Sequence, residues 1–443
     1  MSRLKKSAGA LFFCFAAALL CAQEADSDEE NYFSSFFDNA EDIEIDEHAP
    51  PSEPPSSTEI RIGDFVVPLN FSDHLDTEVG GGYMWNDRNS SNELEDGFFG
   101  YLRFDNYLYM TARASENLSF RGSIQTKFPD WTLRIYELYF DYLAFDRLYI
   151  TAGKKANSWG YVRLFSDGDN YAIDDDDEEG TFYIPGVQTD ILHDSRNSSS
   201  ILVRVPVLTG MVSGIAMLPD ESSSTEPALT DMSYAASAEI TFLKTSINIF
   251  GRKYPTTVKG EKIPDANRLH PLLGIEAKRT ILGVDVYTQG LVRISDFSLA
   301  KRPFAAVLKH GRHPENDDYK GYDTFVATSG FYKWWNSGAP NGGLNAEYQT
   351  IYTPSRAYDK RFRNRMAFAG TIGKLGPSNN IRLALEWNHD FTFKSGNVTP
   401  GIILTGIFPH AQWRNAVKIE YGGDYEGPPR VSLGSTLSIS IDF

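Results

Sequence analysis

The final thirteen residues constrain the fold most strongly, because apolar and small polar side chains alternate along them until the chain ends on Phe443. Side chains at successive positions of a β-strand point to opposite faces, so this spacing predicts a strand between two different environments. A strand of a membrane-embedded barrel and an edge strand of a soluble β-sandwich both fit the pattern. The apolar set consists of Val431, Leu433, Leu437, Ile439, Ile441 and Phe443.

The N-terminal end of the chain has the organisation of a secretory signal peptide. Basic residues precede an apolar stretch at 8–20, and Ala22 is a small residue suited to cleavage. The apolar stretch is too short to span a bilayer as a stable helix. We therefore expect residues 1–22 to be a signal peptide that is removed after export.

Both cysteines of the chain, Cys14 and Cys21, lie within this signal peptide. The secreted protein is therefore expected to contain neither a disulfide bond nor a reactive thiol. Lipid attachment at Cys21 is disfavoured, because Leu20 stands where lipoprotein processing requires a small side chain. Beyond the signal peptide there is no run of about eighteen apolar residues, which excludes helical membrane spans. A closed barrel is the other structure that satisfies every backbone group in lipid.

The net charge of −17 is concentrated in two short regions. Residues 23–58 contain twelve acidic and no basic side chains, and residues 174–179 add six more acids. The remainder of the secreted chain is close to neutral, with acidic and basic residues interspersed. A nucleic-acid partner would need a basic surface, so the composition argues against one.

Residues 23–58 form an acidic extension that also contains the proline-rich stretch 50–55. Its low hydrophobicity prevents it from burying enough surface to fold alone, so we predict a disordered segment in the periplasm. Four aromatic residues between positions 32 and 37 have the spacing of one side of a short helix. They could enter the lumen of a barrel or contact an assembly partner, and a disordered segment with a few aromatic residues is the alternative.

The rest of the chain, residues 59–443, is predicted to form an all-β domain. From about residue 75 onward, strand-length segments alternate apolar and polar side chains. In one of them, Tyr136 and Leu138 lie on the apolar face and Glu137 lies on the polar face. A soluble sandwich would bury the apolar face, whereas a membrane barrel would turn that face toward lipid and the polar face toward its lumen. The clearest segments are 100–112, 117–128, 132–143 and 412–421.

Connection lengths favour the membrane barrel, because short periplasmic turns and long extracellular loops alternate in that architecture. With the first strand near 78–86 and the last strand ending at Phe443, the sequence predicts eighteen antiparallel strands. Sixteen is the alternative, because the segments 344–352 and 401–408 are weakly patterned. The aromatic content of 13% suits the girdles at the two membrane interfaces. The predicted short turns are 114–117, 144–146, 209–210, 243–245 and 280–282, and the predicted long loops are 87–98, 156–199, 218–231, 253–271 and 295–321.

The predicted loop 156–199 is the longest connection and contains the acidic run. Folded into the lumen, it would narrow the pore and create a negative local field that favours cations. A solvated acidic loop and a calcium site are the alternatives, although the run lacks the alternating spacing and the glycine of a dedicated calcium loop. An additional pair of strands at 161–165 and 182–192 is also compatible with the sequence. The candidate constriction residues are Trp159, Asp174, Asp175, Asp176, Asp177, Glu178 and Glu179.

Charged residues on the polar faces of the strands are the candidates for the lining of the pore. Both signs are present, so they would create a transverse field that orients small polar solutes, while each could equally be a solvated or ion-paired wall residue. No cofactor and no metal ion are expected. The candidates are Arg103, Arg121, Lys127, Arg134, Glu137, Asp141, Arg204, Arg293, Arg365, Arg382, Glu386, Arg414 and Glu420.

Signals for catalysis are weak. The sequence contains no G-x-S-x-G elbow, no phosphate-binding loop and no H-E-x-x-H pair. His193-Asp194 and His389-Asp390 are adjacent acid–base pairs, but neighbouring residues of a strand point to opposite faces, so neither pair forms a dyad by itself. We therefore expect that the protein is not an enzyme.

The segment 153–160, Gly-Lys-Lys-Ala-Asn-Ser-Trp-Gly, follows a predicted strand. It resembles a Gly-Arg-Gln-x-x-x-Trp-Gly pattern of porin-like outer-membrane barrels, and it departs from that pattern by Lys154 and Lys155 in place of Arg and Gln. The terminal Phe443 is similar to the assembly signal of the same class. The resemblance spans 75–443 and implies a closed transmembrane β-barrel of about 16–18 strands in a bacterial outer membrane. It also implies lipid and the barrel-assembly machinery as partners, with a spirochaete as a candidate source.

Three functions are compatible with the sequence. The leading one is a porin or substrate-selective channel through which small solutes diffuse passively. A transporter of hydrophobic compounds would use the aromatic residues of the N-terminal extension as a plug. A surface-exposed adhesin would bind ligands through loops 253–271 and 295–321. The pattern assigns neither a particular solute nor an oligomeric state.

Overall fold

A computed structural model gives the fold of most of the chain from Thr58 onward. The predictions for the signal peptide, the acidic extension before Thr58, the acidic run 174–179, the segment 182–192 and Phe443 lie outside the residues that it describes. Within those residues, no helix is long and apolar enough to cross a bilayer. The described residues are 58–62, 65–88, 94–128, 132–155, 157, 159–165, 199–218, 232–258, 261–262, 270–295, 322–335, 338–353, 362–422 and 428–442.

The regular secondary structure of the described residues is β-strand, as predicted. The strands are rich in β-branched and aromatic residues, which fit a pleated surface. They are β1 (Thr58–Ile62), β2 (Phe65–Arg88), β3 (Leu94–Ser115), β4 (Leu118–Phe128), β5 (Thr132–Ala144), β6 (Leu148–Lys154), β7 (Ser199–Val207), β8 (Gly210–Met217), β9 (Ser233–Phe242), β10 (Thr245–Lys253), β11 (Thr257–Val258), β12 (Glu261–Lys262), β13 (Leu272–Ile281), β14 (Val284–Ile294), β15 (Tyr322–Trp335), β16 (Asn341–Tyr352), β17 (Phe362–Leu375), β18 (Ile381–Asp390), β19 (Ser395–Thr405), β20 (Ala411–Tyr421) and β21 (Arg430–Asp442).

Eighteen of these strands, β2 to β10 and β13 to β21, form a closed antiparallel barrel in which each strand pairs with the preceding and the following barrel strand. The barrel closes where β21 pairs with β2, from Val431 opposite Trp85 to Asp442 opposite His74. The prediction of eighteen strands is confirmed. The alternative of sixteen is wrong, because the two weakly patterned segments contribute β16 and β19. Closure pairs the strand edges that a soluble sheet would leave free.

The hairpin of β2 and β3 is longer than the sequence predicted. β2 begins at Phe65, well before the predicted first strand at 78–86. β2 also continues to Arg88 and β3 begins at Leu94, so the bounds of the loop predicted over 87–98 are too wide at both ends. The polar residues suggested a loop from position 87, but Asp87 still pairs with Glu95 and Arg88 with Leu94.

The two ends of the described chain lie at the same end of the barrel. β1 pairs with the first residues of β2, on the edge opposite β3, and Thr58 stands opposite Leu69. Further along that same edge, β2 pairs with the end of β21 at Asp442. β1 therefore occupies the position beyond the last residue of β21, where the seam would otherwise expose the edge of β2.

All of the long connections lie at one end of the barrel, as predicted, and every connection at the other end is short, so we call these the long-loop end and the short-turn end. The predicted alternation is not strict, because the intervals 89–93, 129–131 and 391–394 at the long-loop end are also short. The predicted long loop 295–321 fills the interval between β14 and β15, and the one at 253–271 contains the small hairpin of β11 and β12. Leu208, Leu243 and Leu282 have positive φ angles in three of the turns, as tight hairpins between twisted strands require. The tight turns are 116–117, 145–147, 208–209, 243–244 and 282–283.

A β-bulge in β5 changes the predicted orientation of Tyr136. β4 pairs Ser123 with Glu137 but Ile124 with Ile135, so Tyr136 is an extra residue that the register passes over. A bulge of this kind interrupts the alternation of faces. The Tyr136 ring therefore lies 5.7 Å from the ring of Tyr107 on the inner face, and its predicted place on the apolar outer face is wrong.

The outer and inner faces of the barrel differ in polarity. Large apolar side chains are exposed at alternate positions along the strands, for example Phe98 on β3 at 88% and Leu133 on β5 at 73%. Polar and charged side chains occupy many of the intervening inward positions, and several of them are buried. Other exposed outer residues are Val79, Ile135, Ile201, Ile240, Ile249, Ile275, Leu383 and Leu433.

Candidate functional site: the barrel interior

The candidate pore-lining residues all lie on barrel strands, and all of them except Glu137, which follows the bulge at Tyr136, alternate with residues of the outer face. Register places Arg103 opposite Glu78 and Arg134 opposite Gln125. A contact between these residues and a solute stays a prediction. By strand, the candidates are Arg103 on β3, Arg121 and Lys127 on β4, Arg134, Glu137 and Asp141 on β5, Arg204 on β7, Arg293 on β14, Arg365 on β17, Arg382 and Glu386 on β18, and Arg414 and Glu420 on β20.

Charges of both signs meet on the inner face of β4 to β6. Arg121 stands opposite Tyr139, and Thr151 Oγ1 donates a hydrogen bond of 2.5 Å to Asp141 Oδ1. Lys155 follows β6 and places Nζ 4.4 Å from the centre of the Tyr139 ring. Burial lowers the pKa of the Lys155 ammonium, and the nearby carboxylates oppose that shift. This part of the interior therefore carries a mixed field.

Ion pairs also line the inner face near the barrel seam. Arg414 Nη1 lies 3.8 Å from Glu78 Oε1. Glu420 pairs with two cations, Lys418 Nζ at 2.6 Å and Arg430 Nη1 at 3.3 Å. These side chains are partly exposed, and ion pairs in contact with water each contribute about 0–1 kcal/mol to stability.

The strands β18 to β21 and β2 to β7, which carry these charged inner residues, are called the open wall below.

Two of the pore-lining candidates are buried on the opposite side. Arg293 lies with its guanidinium 5.6 Å from the Tyr254 ring. Arg365 is 7% exposed, stacks on Phe165 at 4.6 Å and donates a hydrogen bond of 2.7 Å from Nε to Gln349 Oε1. The guanidinium groups of Arg293 and Arg365 therefore contact other side chains of the protein.

A continuous row of polar side chains crosses seven strands on this side. Its members stand directly opposite one another from β9 to β17, and we call them the polar row. Glu276 accepts hydrogen bonds from Asn248 Nδ2 at 2.9 Å and from Gln289 Nε2 at 3.2 Å. Gln349 Nε2 donates to Thr328 Oγ1 at 3.0 Å. The polar row consists of Glu239, Asn248, Glu276, Gln289, Thr328, Gln349 and Arg365.

Apolar side chains form a second layer inside the barrel, next to the polar row and toward the long-loop end. Trp159, from the segment after β6, packs against this layer. Apolar residues on an inner face are stable where other protein groups cover them. The layer consists of Leu202, Ile215, Met217, Ala235, Phe250, Tyr254, Leu272, Leu291, Val326 and Ile351.

The segment 159–165 lies inside the barrel, against the polar row. The backbone N–H of Tyr161 donates to Glu276 Oε2 at 3.0 Å, and its phenol hydroxyl donates to Glu239 Oε1 at 2.9 Å. Val162 is 7% exposed and belongs to a buried cluster with residues of β14 and β17. The segment therefore occupies the interior on one side, and we call β9 to β17 the covered wall.

Glu347 on β16 holds the end of this segment. Its carboxylate accepts hydrogen bonds from the backbone N–H groups of Arg163 at 2.6 Å and Phe165 at 3.0 Å. The Tyr287 hydroxyl donates to the same carboxylate at 2.5 Å. On the strand between them, Gly330 leaves room for this contact, because a Cβ there would lie 2.8 Å from both side chains. Hydrogen bonds to a charged group are worth about 1.5–3 kcal/mol each.

Two guanidinium groups stacked on aromatic rings and the phenol hydroxyl of Tyr161 also stabilise the segment 159–165 in its position. The Arg163 guanidinium lies 4.1 Å from the centre of the Tyr332 ring, and Arg365 covers Phe165. Burial, followed by the hydrogen bond to a carboxylate, raises the pKa of the Tyr161 phenol. The phenol therefore remains a hydrogen-bond donor throughout the neutral and mildly alkaline pH range.

The structure corrects one prediction for this region and leaves others open. Residues 161–165 do not form the proposed additional strand, because side-chain carboxylates rather than a neighbouring strand accept hydrogen bonds from their amides. Trp159 lies inside the barrel, and its role in a constriction stays a prediction. The acidic residues 174–179 lie outside the described part of the chain.

His389 and Asp390, the adjacent His–Asp pair that the structure describes, form no catalytic dyad with each other. His389 and Asp390 use different partners, since His389 Nδ1 lies 3.2 Å from the Tyr421 hydroxyl while Asp390 pairs with Arg363. His193-Asp194 lies outside the described residues. Among the residues that are described, no group of three or more His, Cys, Asp or Glu side chains could hold a metal ion.

Sequence analysis missed the three glutamates that contact the segment. Glu239, Glu276 and Glu347 were not among the candidates, because alternation alone does not show which polar residues face each other across strands. Glu347 lies in the segment 344–352, which looked weakly patterned. Its alternation with Gln349 on the inner face was the available signal.

Comparisons with solved structures give matches of low sequence identity that extend over most of this chain. No family model and no curated protein matches the sequence. OpdG of Pseudomonas aeruginosa, also called OccK9, matches with a TM-score of 0.48 and 9% identity over 84% of this chain and 98% of that chain. OpdL of the same organism gives 0.47 and 9% over 84% and 99%. The outer membrane channel DcaP of Acinetobacter baumannii gives 0.40 and 11% over 87% and 100%. The barrel architecture described above rests on the strand pairing of this chain.

Proposed function

We propose that this protein is a bacterial outer-membrane channel through which small solutes diffuse passively. The observation that carries the proposal is a closed barrel with an apolar outer face and a charged inner face, filled on one side by the segment 159–165. Lipid can cover the outer face, while water and solutes can solvate the inner charges. Passive diffusion requires neither a catalytic group nor a cofactor.

The outer face supports insertion of the barrel into a bilayer. Exposed aliphatic residues such as Ile201, Ile249 and Ile275 recur on successive strands, and a water-soluble protein rarely exposes so large an apolar surface. At the short-turn end, Leu208 and Leu282 extend this surface to the tips of the turns. We propose that these tips contact the lipid at the membrane interface.

The ends of the barrel support an orientation in the membrane. Short turns face the periplasm in outer-membrane barrels, and Thr58 and Asp442 both lie at the short-turn end. In this orientation we expect the acidic extension 23–58 to lie in the periplasm after removal of residues 1–22. The final Phe443 would also be on the periplasmic side, where the barrel-assembly machinery can bind it.

The distribution of contacts also supports a path for the solute. The segment 159–165 occupies the side of the covered wall, so the passage follows the open wall. There Arg121, Arg204 and Glu420 would act on passing solutes through a field of mixed sign.

Reconstitution in planar bilayers tests the proposal. Purified, refolded protein should produce discrete conductance steps and should admit small polar solutes to liposomes. The control is the same preparation after heating, and the shift in electrophoretic mobility on heating identifies the folded barrel. A preparation that shows the mobility shift but produces no conductance and no solute flux would contradict the channel.

A further inference from the structure

We infer that Glu347 positions the segment 159–165 inside the lumen and thereby sets the narrowest width of the passage. This inference rests on the proposed channel function and adds the residue that determines its size limit. Glu347 is a positioning residue, because it acts on the solute path through the segment that it holds.

Two amides of the segment converge on the Glu347 carboxylate. The N–H groups of Arg163 and Phe165 donate to its two oxygens, one to each. The segment is not part of any described strand, so these amides bond to a side chain where the barrel residues bond to a neighbouring strand. A single side chain thus satisfies the backbone at the innermost part of the segment.

The surroundings fix the carboxylate in this position. The Tyr287 side chain extends from β14 past Gly330 on β15 to the Glu347 carboxylate. Its hydroxyl group donates a hydrogen bond that orients the two carboxylate oxygens toward the segment 159–165. Glu347 is 1% exposed, so water does not compete for its oxygens. A side chain at position 330 would collide with both Glu347 and Tyr287. The site is therefore built from three neighbouring strands of the covered wall.

The chemistry of the site requires a carboxylate. Glutamine has nearly the same shape, but it offers one acceptor oxygen and turns an NH₂ donor toward the remaining amide. The substitution Glu347→Gln should therefore release at least part of the segment without changing the volume of the side chain. Gly330→Ala provides a second route to the same effect, because it displaces the carboxylate without removing it.

Thiol reactivity reports directly on the position of the segment. The full chain carrying Cys14→Ser and Cys21→Ser would contain Val162→Cys as its single cysteine, at a position that is buried with Glu347 in place. Adding Glu347→Gln should raise the rate of modification by a water-soluble methanethiosulfonate at least about tenfold. The matched control is Glu386→Gln, which removes a carboxylate from the open wall and should leave the reactivity of the introduced thiol unchanged.

Channel recordings test the consequence for the passage. Glu347→Gln and Gly330→Ala should each increase single-channel conductance and admit larger uncharged polymers, while the heat-dependent mobility shift persists. A conducting wild-type channel with unchanged conductance, polymer exclusion and thiol reactivity in both variants would overturn the role of Glu347. A wild-type protein without conductance would overturn the channel function instead, and the thiol assay would still decide whether Glu347 positions the segment. If Glu347→Gln prevents folding, Gly330→Ala supplies the same comparison with the carboxylate retained.

Discussion

The covered wall and the open wall of the barrel use their polar residues in different ways. On the covered wall, Glu276 is 2% exposed and accepts hydrogen bonds from Asn248, Gln289 and the Tyr161 amide. On the open wall, Glu420 forms ion pairs whose partners remain in contact with the lumen. The same alternation of side chains thus produces one wall that holds an internal segment and another that lines the proposed passage.

The polar groups of the two walls behave differently because those of the covered wall are buried and those of the open wall are partly exposed. Removing one partner of a buried hydrogen-bonded group leaves the others unsatisfied, whereas water replaces a lost partner at an exposed ion pair. The covered wall should therefore respond to substitution through stability, and the open wall through ion selectivity.

The largest contrast is expected in stability. Glu276→Ala leaves three donors without their acceptor and should lower the free energy of unfolding by roughly 2–4 kcal/mol. Glu420→Ala should lower it by less than about 1 kcal/mol, because its partners can be hydrated. Urea titrations read by electrophoretic mobility of the folded barrel measure both values. Equal losses in the two variants would remove the energetic distinction between the walls.

A smaller contrast is expected in ion selectivity. Arg204→Gln on the open wall should shift the permeability ratio toward cations by about two- to fivefold, the factor that corresponds to roughly 0.5–1 kcal/mol in a hydrated lumen. Arg293→Gln, which removes the same charge from a buried position, should shift it less. Reversal potentials in a salt gradient measure the permeability ratio of each variant. A larger shift for Arg293→Gln than for Arg204→Gln would contradict a solute path along the open wall.

The smallest effect concerns pH and Lys155. Burial lowers the pKa of this lysine, so it should lose its charge at a lower pH than an exposed lysine does. Cation preference should therefore rise with pH in the window below 10.5, the ordinary lysine value, and Lys155→Arg should abolish that rise because arginine stays protonated. Stability should rise through the same window, since the folded state binds fewer protons than the unfolded state there. A pH dependence that persists in Lys155→Arg would assign it to another group.

Sequence periodicity predicted most of the fold, because a barrel strand repeats one simple pattern at every position. The alternation in 431–443 predicted the closing strand, and β21 pairs along β2 as that prediction required. The bulge at Tyr136 was not predictable, because an extra residue becomes visible only when the partner strand is known. The extension of β2 back to Phe65 was missed for a related reason, since its pairing with β1 depends on the seam.

The candidate site was less predictable than the fold. Alternation identified inward positions such as Arg121 and Arg365 equally well, although one lies on the open wall and the other is buried against Phe165. What separates them is the path of the segment 159–165, which depends on contacts with strands far away in the sequence. Glu347 contacts that segment across more than 180 residues of chain, as its hydrogen bond to Phe165 shows. No local pattern carries that information.

The most direct test of a passage along the open wall compares two single-cysteine variants, Thr399→Cys and Thr328→Cys. Each is made in the background that lacks Cys14 and Cys21. Thr399 lies on the inner face of the open wall opposite Glu386, and Thr328 lies in the polar row of the covered wall with 0% exposure. A cationic methanethiosulfonate added during bilayer recording should reduce the current through the Thr399→Cys channel and leave the Thr328→Cys channel unaffected. Modification that reduces the current through Thr328→Cys but not through Thr399→Cys would contradict a passage along the open wall.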